Sequence, residues 1–353
     1  MQIADISLTN WRNFSSKKIV FDSKLTAIVG KNGAGKSNLL EAVAFLSGIR
    51  PTKVETDLDL VRLGFESARI SGRVFVDNDQ KELAVNFLVD GQKLAKSFYV
   101  DAFKKRLVDF VEVFSIVVFE PSDLDLVSGS PSLRRHHLDR FLSSLDSRYW
   151  RSVSAYGKIV TRRNRILVRI QEGKSKPLEL GFWDDRLLSH GKYISRVRQE
   201  FFEYLNFLEP TFAKTVKGKG GLVGLSWELK QSLISEEKLI ANRERDIAAG
   251  ITLSGPHRDD FRFKFKDRDL EFFGSRGEQR MAVLALKLAE LEYLKVKRGE
   301  RPVLALDDIF SELDWEHRDA VISVISNQQT IITAAEKESI PKEIFKKAKI
   351  VEL

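Results

Sequence analysis

The chain contains the stretch Gly30-Lys31-Asn32-Gly33-Ala34-Gly35-Lys36-Ser37, which fits the phosphate-binding pattern GxxxxGK[ST]. An apolar segment, Leu25–Val29, precedes it and predicts a buried strand, and an apolar helical pattern follows it. Glycines at this spacing let backbone N–H groups turn inward around a pyrophosphate, and the helix N-terminus adds partial positive charge. Lys36 would reach the β and γ phosphates, and the Ser37 hydroxyl would ligate Mg²⁺. We therefore expect an α/β fold that binds a nucleoside triphosphate with Mg²⁺ at this loop.

A pair of acidic residues supplies the second half of such a site. Asp307 and Asp308 follow the apolar run Pro302–Leu306, which predicts another buried strand. In P-loop proteins an acid at this place holds the Mg²⁺ shell, and a neighbouring acid polarises the attacking water. We expect Asp307 to be the metal-side acid, and Asp308 to act as catalytic base with Lys36 as the other catalytic residue.

The order of predicted elements suggests one lobe inserted into another. A length of 353 residues exceeds what a single core usually supports, so two lobes are expected. In the first part of the chain, strands are predicted around 3–8, 70–76, 83–89, 94–100 and 111–119. In the middle part, helices are predicted over 131–145, 147–170 and 187–208, the last ended by Pro210. In the last part, strands are predicted over 260–265, 302–306 and 330–333, and helices over 276–294 and 315–325. We therefore predict that an ATP-binding lobe is formed by 1–120 and completed by 251–353, and that 121–250 form a mainly helical second lobe.

Composition narrows the class of protein. The chain has no cysteine, which excludes disulfides, thiolate catalysis and cysteine-based zinc sites and favours a reducing cytoplasm. No apolar run approaches the length of a membrane helix, and residues 1–5 lack the layout of a signal peptide. A cytoplasmic protein without membrane association is expected.

Positive charge is concentrated in one segment. The net charge is +8, and residues 131–176 hold twelve Lys and Arg against three acidic residues. A localised basic block is typical of a polyanion-binding surface, although ordinary salt bridges on a helix are an equal alternative. Arg162, Arg165 and Arg169 recur at helical spacing and are our candidates for DNA phosphate contacts.

Two further motifs resemble those of ABC-type ATPases. The segment Ser275-Arg276-Gly277-Glu278-Gln279-Arg280 resembles the ABC signature, and Ser311-Glu312-Leu313-Asp314 looks like the D-loop. The resemblance implies an ABC-ATPase head in which Ser275 and Gly277 of one subunit contact the γ-phosphate of ATP held by the other. A homodimer that forms with ATP is therefore expected.

Segments along nearly the whole chain resemble the RecF family. They are Trp11-Arg12-Asn13-Phe14, Phe119–Leu124, Gly129–Arg135, Arg162-Arg163-Asn164, Ser254–Asp260 and Ala285–Glu290. The resemblance implies clamping of single-stranded, gapped or junction DNA, recombinase loading with RecO- and RecR-type partners, a part in the SOS response, and weak, DNA-stimulated ATP hydrolysis that releases the DNA. The position after Asp307 is Asp rather than Glu, which suggests slow hydrolysis. Thr333 stands where many relatives of the superfamily have a histidine that contacts the γ-phosphate, and its hydroxyl could take the place of that histidine.

Several alternatives stay open at this point. Another ABC-type ATPase without a repair role is possible, either a transporter subunit or a defence ATPase, as is a DNA scaffold that binds ATP without turnover. The Q-loop residue is either Glu120 or Asp123, and His257 is as consistent with a structural role as with a nucleotide contact. Trp11 and Arg12 could touch DNA or serve packing.

Overall fold

A computed structural model of the chain describes residues 1–49, 56–215, 223–312, 318, 322 and 325–353, without the side chains of 209–215 and 312. These residues form two compact units. The first contains Met1–Leu124, Ser275–Leu353 and, of the described residues between 210 and 223, 210–215 and 223. The second contains Asp125–Glu209 and Gly224–Gly274. The second unit is therefore an insertion in the sequence of the first.

A five-stranded parallel sheet forms the centre of the first unit. Its strands, in spatial order, are β14 (Lys349–Glu352), β3 (Leu25–Val29), β13 (Thr330–Ala334), β12 (Val303–Leu306) and β8 (Ile116–Phe119). Every residue of β3, β8, β12 and β13 is buried, as expected for parallel strands covered on both faces. The phosphate-binding loop follows β3 and the acidic pair follows β12, so both lie at the carboxyl edge of the sheet, where open α/β sheets bind ligands.

An antiparallel sheet of six strands forms the other layer of this unit. In spatial order the strands are β2 (Phe14–Val20), β1 (Gln2–Trp11), β4 (Ser67–Val76), β5 (Asp79–Asp90), β6 (Lys93–Val100) and β7 (Phe103–Lys105). Trp11 and Phe87 of this sheet pack against Phe45 at the end of helix α1 (Lys36–Phe45), with ring centroids 5.1–5.8 Å apart. This aromatic cluster anchors the helix that begins at the phosphate-binding loop.

Other helices in the described part of the first unit include α2 (Leu107–Phe110), α10 (Arg276–Arg298), α11 (Ile309–Glu312) and α12 (Lys342–Phe345). Helix α10 is amphipathic and buries thirteen residues. One of them is Lys287, whose ammonium lies 3.1 Å from the Asp123 carboxylate and 3.7 Å from that of Glu290. A buried charge requires such partners, so this cluster holds the helix against the segment that follows β8.

The second unit combines helices with a small sheet. Its helices are α3 (Asp125–Ser128), α4 (Pro131–Leu145), α5 (Ser147–Gln171), α6 (Gly181–Thr215), α7 (Glu236–Ala241), α8 (Arg243–Ala249) and α9 (Leu270–Phe273). Strands β9 (Leu225–Lys230), β10 (Asp260–Phe265) and β11 (Arg268–Asp269) pair antiparallel, with β10 in the centre.

Buried arginines hold the second unit together. Arg198 of α6 bonds Asp139 and Asp259, each at 2.7 Å. Arg134 of α4 reaches Asp260 at 2.7 and 3.0 Å. Arg134, Asp259 and Asp260 belong to the segments that carry the family resemblance, so those segments serve the interior of this unit.

Four structural expectations need correction or restriction. The run 111–119 is a strand only at Ile116–Phe119, because α2 and a turn occupy the residues before it. Helix α6 continues past Pro210, since an internal proline removes a single backbone hydrogen bond and the helix can tolerate that cost. The second unit extends to Gly274 rather than 250, because β10 pairs with β9. Most of the helix predicted over 315–325 lies outside the described residues.

Candidate nucleotide-binding site

The phosphate-binding loop has the conformation that its glycines predict. Gly33 and Gly35 adopt φ values of +85° and +101°, a left-handed region that side chains rarely occupy. A Cβ on Gly35 would lie 2.5 Å from Nδ2 of Asn13 and 2.8 Å from Cζ of Phe14. Backbone conformation and space therefore both require glycine at position 35.

The side chain of Lys36 lies across the inner face of this loop. Its Nζ donates to the carbonyl oxygens of Gly30 at 2.6 Å and Lys31 at 3.2 Å, and the residue is buried. The ammonium is thus held at the start of α1, where backbone N–H groups and the helix dipole also favour anions. Positive charge is concentrated where a phosphate would bind.

The two acids are positioned by a single hydroxyl group. Thr333 Oγ1 donates to Oδ1 of Asp307 at 2.6 Å and accepts the backbone N–H of Asp308 at 3.0 Å. Thr333 and Asp307 are buried, and Asp308 adopts a left-handed φ of +50°. The Thr333 hydroxyl is therefore engaged by the acids, and the expectation that it replaces a histidine at the γ-phosphate is not supported by this geometry.

One cavity of about 270 Å³ brings most predicted site residues together. Its lining contains Asn32, Gly33, Gly35, Lys36, Ser37, Asn38, Pro121, Asp307 and Asp308. Gly30 and Lys31 contribute carbonyls to Lys36, and Ala34 accepts a hydrogen bond from Asn13. The Ser37 hydroxyl and the Asp307 carboxylate supply hard oxygen donors, which suit Mg²⁺. Loop and acids, separated by 270 residues of sequence, thus face the same space.

The Trp11–Phe14 segment supports the loop from behind. The Asn13 side chain donates to the Ala34 carbonyl at 3.2 Å and accepts from Nδ2 of Asn38 at 2.8 Å. Trp11 is fully buried and donates to the Asn38 carbonyl, while Arg12 pairs with Glu41 at 2.8 Å. This segment therefore buttresses the site, and packing rather than DNA contact explains Trp11. Sequence patterns do not predict this supporting role, because the hydrogen bonds and the ion pair join residues that are 21 to 29 positions apart.

A second cavity of about 520 Å³ adjoins the loop. It shares Asn38 with the first cavity and is lined also by Arg12, Asn13, Val61 and Phe65. The apolar and polar groups there are the mixture that holds planar ligands. Nothing in the sequence pattern indicated this neighbouring space.

The signature segment caps helix α10. Ser275 Oγ accepts the backbone N–H of Glu278 at 3.2 Å, and the Glu278 carboxylate accepts the backbone N–H of Ser275 at 2.7 Å. These two reciprocal bonds form a capping box, which gives Glu278 a structural role at the start of the helix. Ser275 is exposed, and neither it nor Gly277 lines the cavity that holds Lys36. An exposed N-terminus of a 23-residue helix is thus available to an anion from outside this chain.

The structure bears on the Q-loop candidates, the D-loop and His257. Asp123 is buried against Lys287 and does not line the cavity, whereas Pro121, next to Glu120, does. Of the D-loop, Leu313 and Asp314 lie outside the described residues. His257 belongs to the second unit and uses both ring nitrogens there.

The His257 side chain is held by hydrogen bonds within the second unit. Nε2 donates to the Thr252 carbonyl at 3.0 Å, and Nδ1 faces the Tyr156 hydroxyl at 3.0 Å. Since a carbonyl only accepts, Nε2 carries the hydrogen, and Tyr156 donates to Nδ1 of the neutral ring. Burial lowers the pKa of His257 and raises that of Tyr156, so both remain uncharged near neutral pH.

The three candidate DNA contacts lie on the exposed face of α5. In the part of the chain that the structure describes, Arg162, Arg165 and Arg169 form no ion pair. The neighbouring Arg163, in contrast, is buried and reaches Asp184 and Asp246 at 2.7 Å each. Internal ion pairing thus belongs to Arg163, and the other three arginines face solvent.

Within the described ranges, no helix is both long and apolar enough to cross a membrane.

The fold is that of a P-loop ATPase head, and its glycine-rich loop and the acidic pair Asp307 and Asp308 line one cavity. The sequence model of the family "RecF/RecN/SMC N terminal domain" matches residues 2–349. A DNA replication and repair protein RecF from Moorella thermoacetica is 35% identical over 360 residues, covering 100% of this chain and 95% of that protein. Its counterpart from Bacillus cytotoxicus is 34% identical and covers 99% and 96%.

Solved structures agree with the sequence relatives. The recombination mediator protein RecF of the RecFOR pathway, with ATP, superposes with a TM-score of 0.85 at 29% identity, covering 96% of this chain and 93% of that one. An SMC head bound to the C-terminal winged-helix domain of ScpA reaches a TM-score of 0.56 at 16% identity, which reflects the fold alone. The chain belongs to the RecF family of ABC-type ATPases.

Proposed function

We propose that this chain is an ATP-driven switch that acts on DNA in recombinational repair. The shared cavity carries the proposal, because it places Lys36, Ser37 and both acids around one space. ATP phosphates would lie on the loop, with Mg²⁺ between the Ser37 hydroxyl and the Asp307 carboxylate. The metal would neutralise charge on the β and γ phosphates.

The nucleotide would also join two copies of the chain. Ser275 and Gly277 open helix α10 at a place exposed to solvent and outside the chain's own cavity. A Ser hydroxyl with free N–H groups at a helix N-terminus is an anion receptor, so it would bind the γ-phosphate held by the other copy. Dimerisation would then require the triphosphate.

Hydrolysis would open the dimer. Asp308 lies beside Asp307 at the cavity and would polarise the attacking water. Its carboxylate is one methylene shorter than that of a glutamate, which agrees with a slow, DNA-stimulated ATPase. Asp308→Asn should bind ATP normally but remain dimeric; wild-type turnover by this variant would exclude Asp308 as base.

DNA would be bound through phosphates on helix α5. Arg162, Arg165 and Arg169 are exposed and spaced over about 10 Å of helix axis. Such contacts read backbone rather than sequence. Single-stranded, gapped or junction DNA, RecO- and RecR-type partners, recombinase loading and a part in the SOS response extend the proposal from the RecF relatives, one of which is placed in the RecFOR pathway. A cytoplasmic location stays a prediction from the cysteine-free composition.

The decisive test is sedimentation of the wild type and Lys36→Ala with and without ATP, with DNA binding scored in the same samples. The wild type should become dimeric with ATP, and the variant should stay monomeric because it lacks the ammonium that binds the β and γ phosphates. Lys18→Ala, which removes an exposed lysine of strand β2, is the matched control. A nucleotide-loaded wild type that remains monomeric at high concentration would refute the switch.

A further inference from the structure

An aromatic pair lies beside the arginine stripe, near the start of helix α6. Phe182 is 57% exposed and Trp183 is half-buried, and their rings meet edge to face with centroids 5.1 Å apart. Phe182 thus presents ring surface to solvent, and Trp183 presents part of its ring beside it.

Each ring is covered by a guanidinium group. Arg162 lies over Trp183 at 5.5 Å from the ring centroid, and Arg186 lies over Phe182 at 4.3 Å. Arg162 is therefore common to the arginine stripe and to the aromatic pair. A phosphate bound by Arg162 would bring the base attached to it close to these rings.

The surrounding charge favours a polyanion. From 162 to 186 the exposed cations are Arg162, Arg165, Arg169, Lys174, Lys176 and Arg186, against Glu172, Glu179 and Asp185 as exposed carboxylates. Acidic protein surfaces and nucleic acids both carry negative charge, but single-stranded nucleic acid carries a flat π face on every nucleotide, next to each phosphate. Stacked aromatic rings and arginine planes are the usual platform for such bases.

We infer that Phe182 and Trp183 form a stacking site for unpaired bases of single-stranded DNA. Phosphates would contact Arg162 and Arg165, while a base stacks on the platform formed by the Phe182 ring and the Arg186 guanidinium over it. Bases in a duplex are already stacked on one another and cannot reach this surface. The site would thus discriminate unpaired from paired DNA; the inference rests on the proposed DNA-binding function.

The test compares a single-stranded oligodeoxythymidine with a blunt duplex, with ATP present and at several salt concentrations. Phe182→Ala should weaken binding of the single strand by roughly 5- to 150-fold, the range for one stacked base, and change duplex binding little. The salt dependence should be unchanged because no phosphate contact is lost. Phe182→Trp should retain binding and Phe182→Leu should not, since leucine keeps apolar surface without a π face.

Phe103→Ala is the matched control, because Phe103 is 72% exposed on β7, in the first unit. It should bind both DNAs like the wild type. The stacking site would be overturned if Phe182→Ala lost the same affinity for the single strand and for the duplex. It would also be overturned if Phe182→Leu bound the single strand as tightly as the wild type. Unchanged binding of both DNAs by Phe182→Ala would also overturn it and assign the pair to protein docking. Failure of the wild type to bind any DNA would instead refute the proposed function itself.

Discussion

Replacing Arg163 with methionine should destabilise the second unit, whereas replacing Arg165 two residues later should not. The Arg163 side chain is fully buried and donates to Asp184 and Asp246 at 2.7 Å and to the Thr252 hydroxyl at 2.9 Å. Methionine fills similar space but leaves Asp246 without its cation and Asp184 with Arg243 alone, at 3.5 Å. Removing one partner of a buried ion pair costs about 3–5 kcal/mol.

Backbone hydrogen exchange measured by mass spectrometry is the suitable assay. The chain has two units, so a single unfolding free energy is poorly defined, whereas exchange reports the opening of each segment. Protection of α5 and α8 should fall by about 3–5 kcal/mol in Arg163→Met, with little change in β3 or β12. Arg165→Met, on the exposed face of the same helix, is the control.

A second variant separates lost charge pairing from lost packing. Asp246→Asn in the Arg163→Met background removes one uncompensated charge and should recover part of the protection. A loss below about 1 kcal/mol in Arg163→Met would contradict the argument, since it falls short of the cost of leaving one buried charge unpaired. Equal losses in Arg163→Met and Arg165→Met would contradict it as well.

Three further outcomes are expected. Thr333→Val should lower thermal stability and weaken Mg²⁺-dependent ATP binding, because each buried partner left without a hydrogen bond costs about 1–3 kcal/mol. Thr333→Ser keeps the hydroxyl and should behave like the wild type. A Thr333→Val variant with the stability and ATP binding of the wild type would contradict the role assigned to this hydroxyl. The pKa of His257 is lowered in the folded protein, so its contribution to stability is complete above its ordinary pKa of 6.5 and is lost as the pH falls below that value. When the pH is lowered from 7.5 to 5.5, hydrogen-exchange protection of the second unit should therefore decrease less in His257→Gln than in the wild type. Equal decreases in both proteins would argue against a structural role for a neutral His257. Neutralising the α5 stripe should reduce the salt slope of DNA binding by about 0.7–0.9 per lost phosphate contact, while neutralising the exposed lysines of β7 should not; the reverse pattern would place the DNA surface elsewhere. The stripe is Arg162, Arg165 and Arg169, and the β7 control is Lys104 and Lys105.

The central sheet and the phosphate-binding loop were predictable because their information is local. An apolar run of five residues is typical of a strand covered on both faces, and Gly33 and Gly35 supply backbone conformations that few other residues adopt. Most predicted strands and helices are confirmed for the same reason. Pro210 shows the limit of local rules, since helix α6 continues beyond it.

The support of the site was not predictable, because it depends on pairs distant in sequence. Asn13 reaches Ala34 across 21 residues, and Thr333 reaches Asp307 across 26. No spacing rule connects such positions. The resemblance to ABC-type ATPases suggested that Thr333 faces the γ-phosphate, whereas the fold directs its hydroxyl to the two acids.

The two neighbouring arginines of α5 show the division most clearly. Local residue patterns are enough to predict a basic helix whose residues alternate between faces with a period of 3.6. Packing of distant segments is what brings Arg163 to carboxylates 21 and 83 residues away while Arg165 faces water. Helical periodicity follows from backbone geometry, but the partner of a buried charge is set by which distant segments pack together.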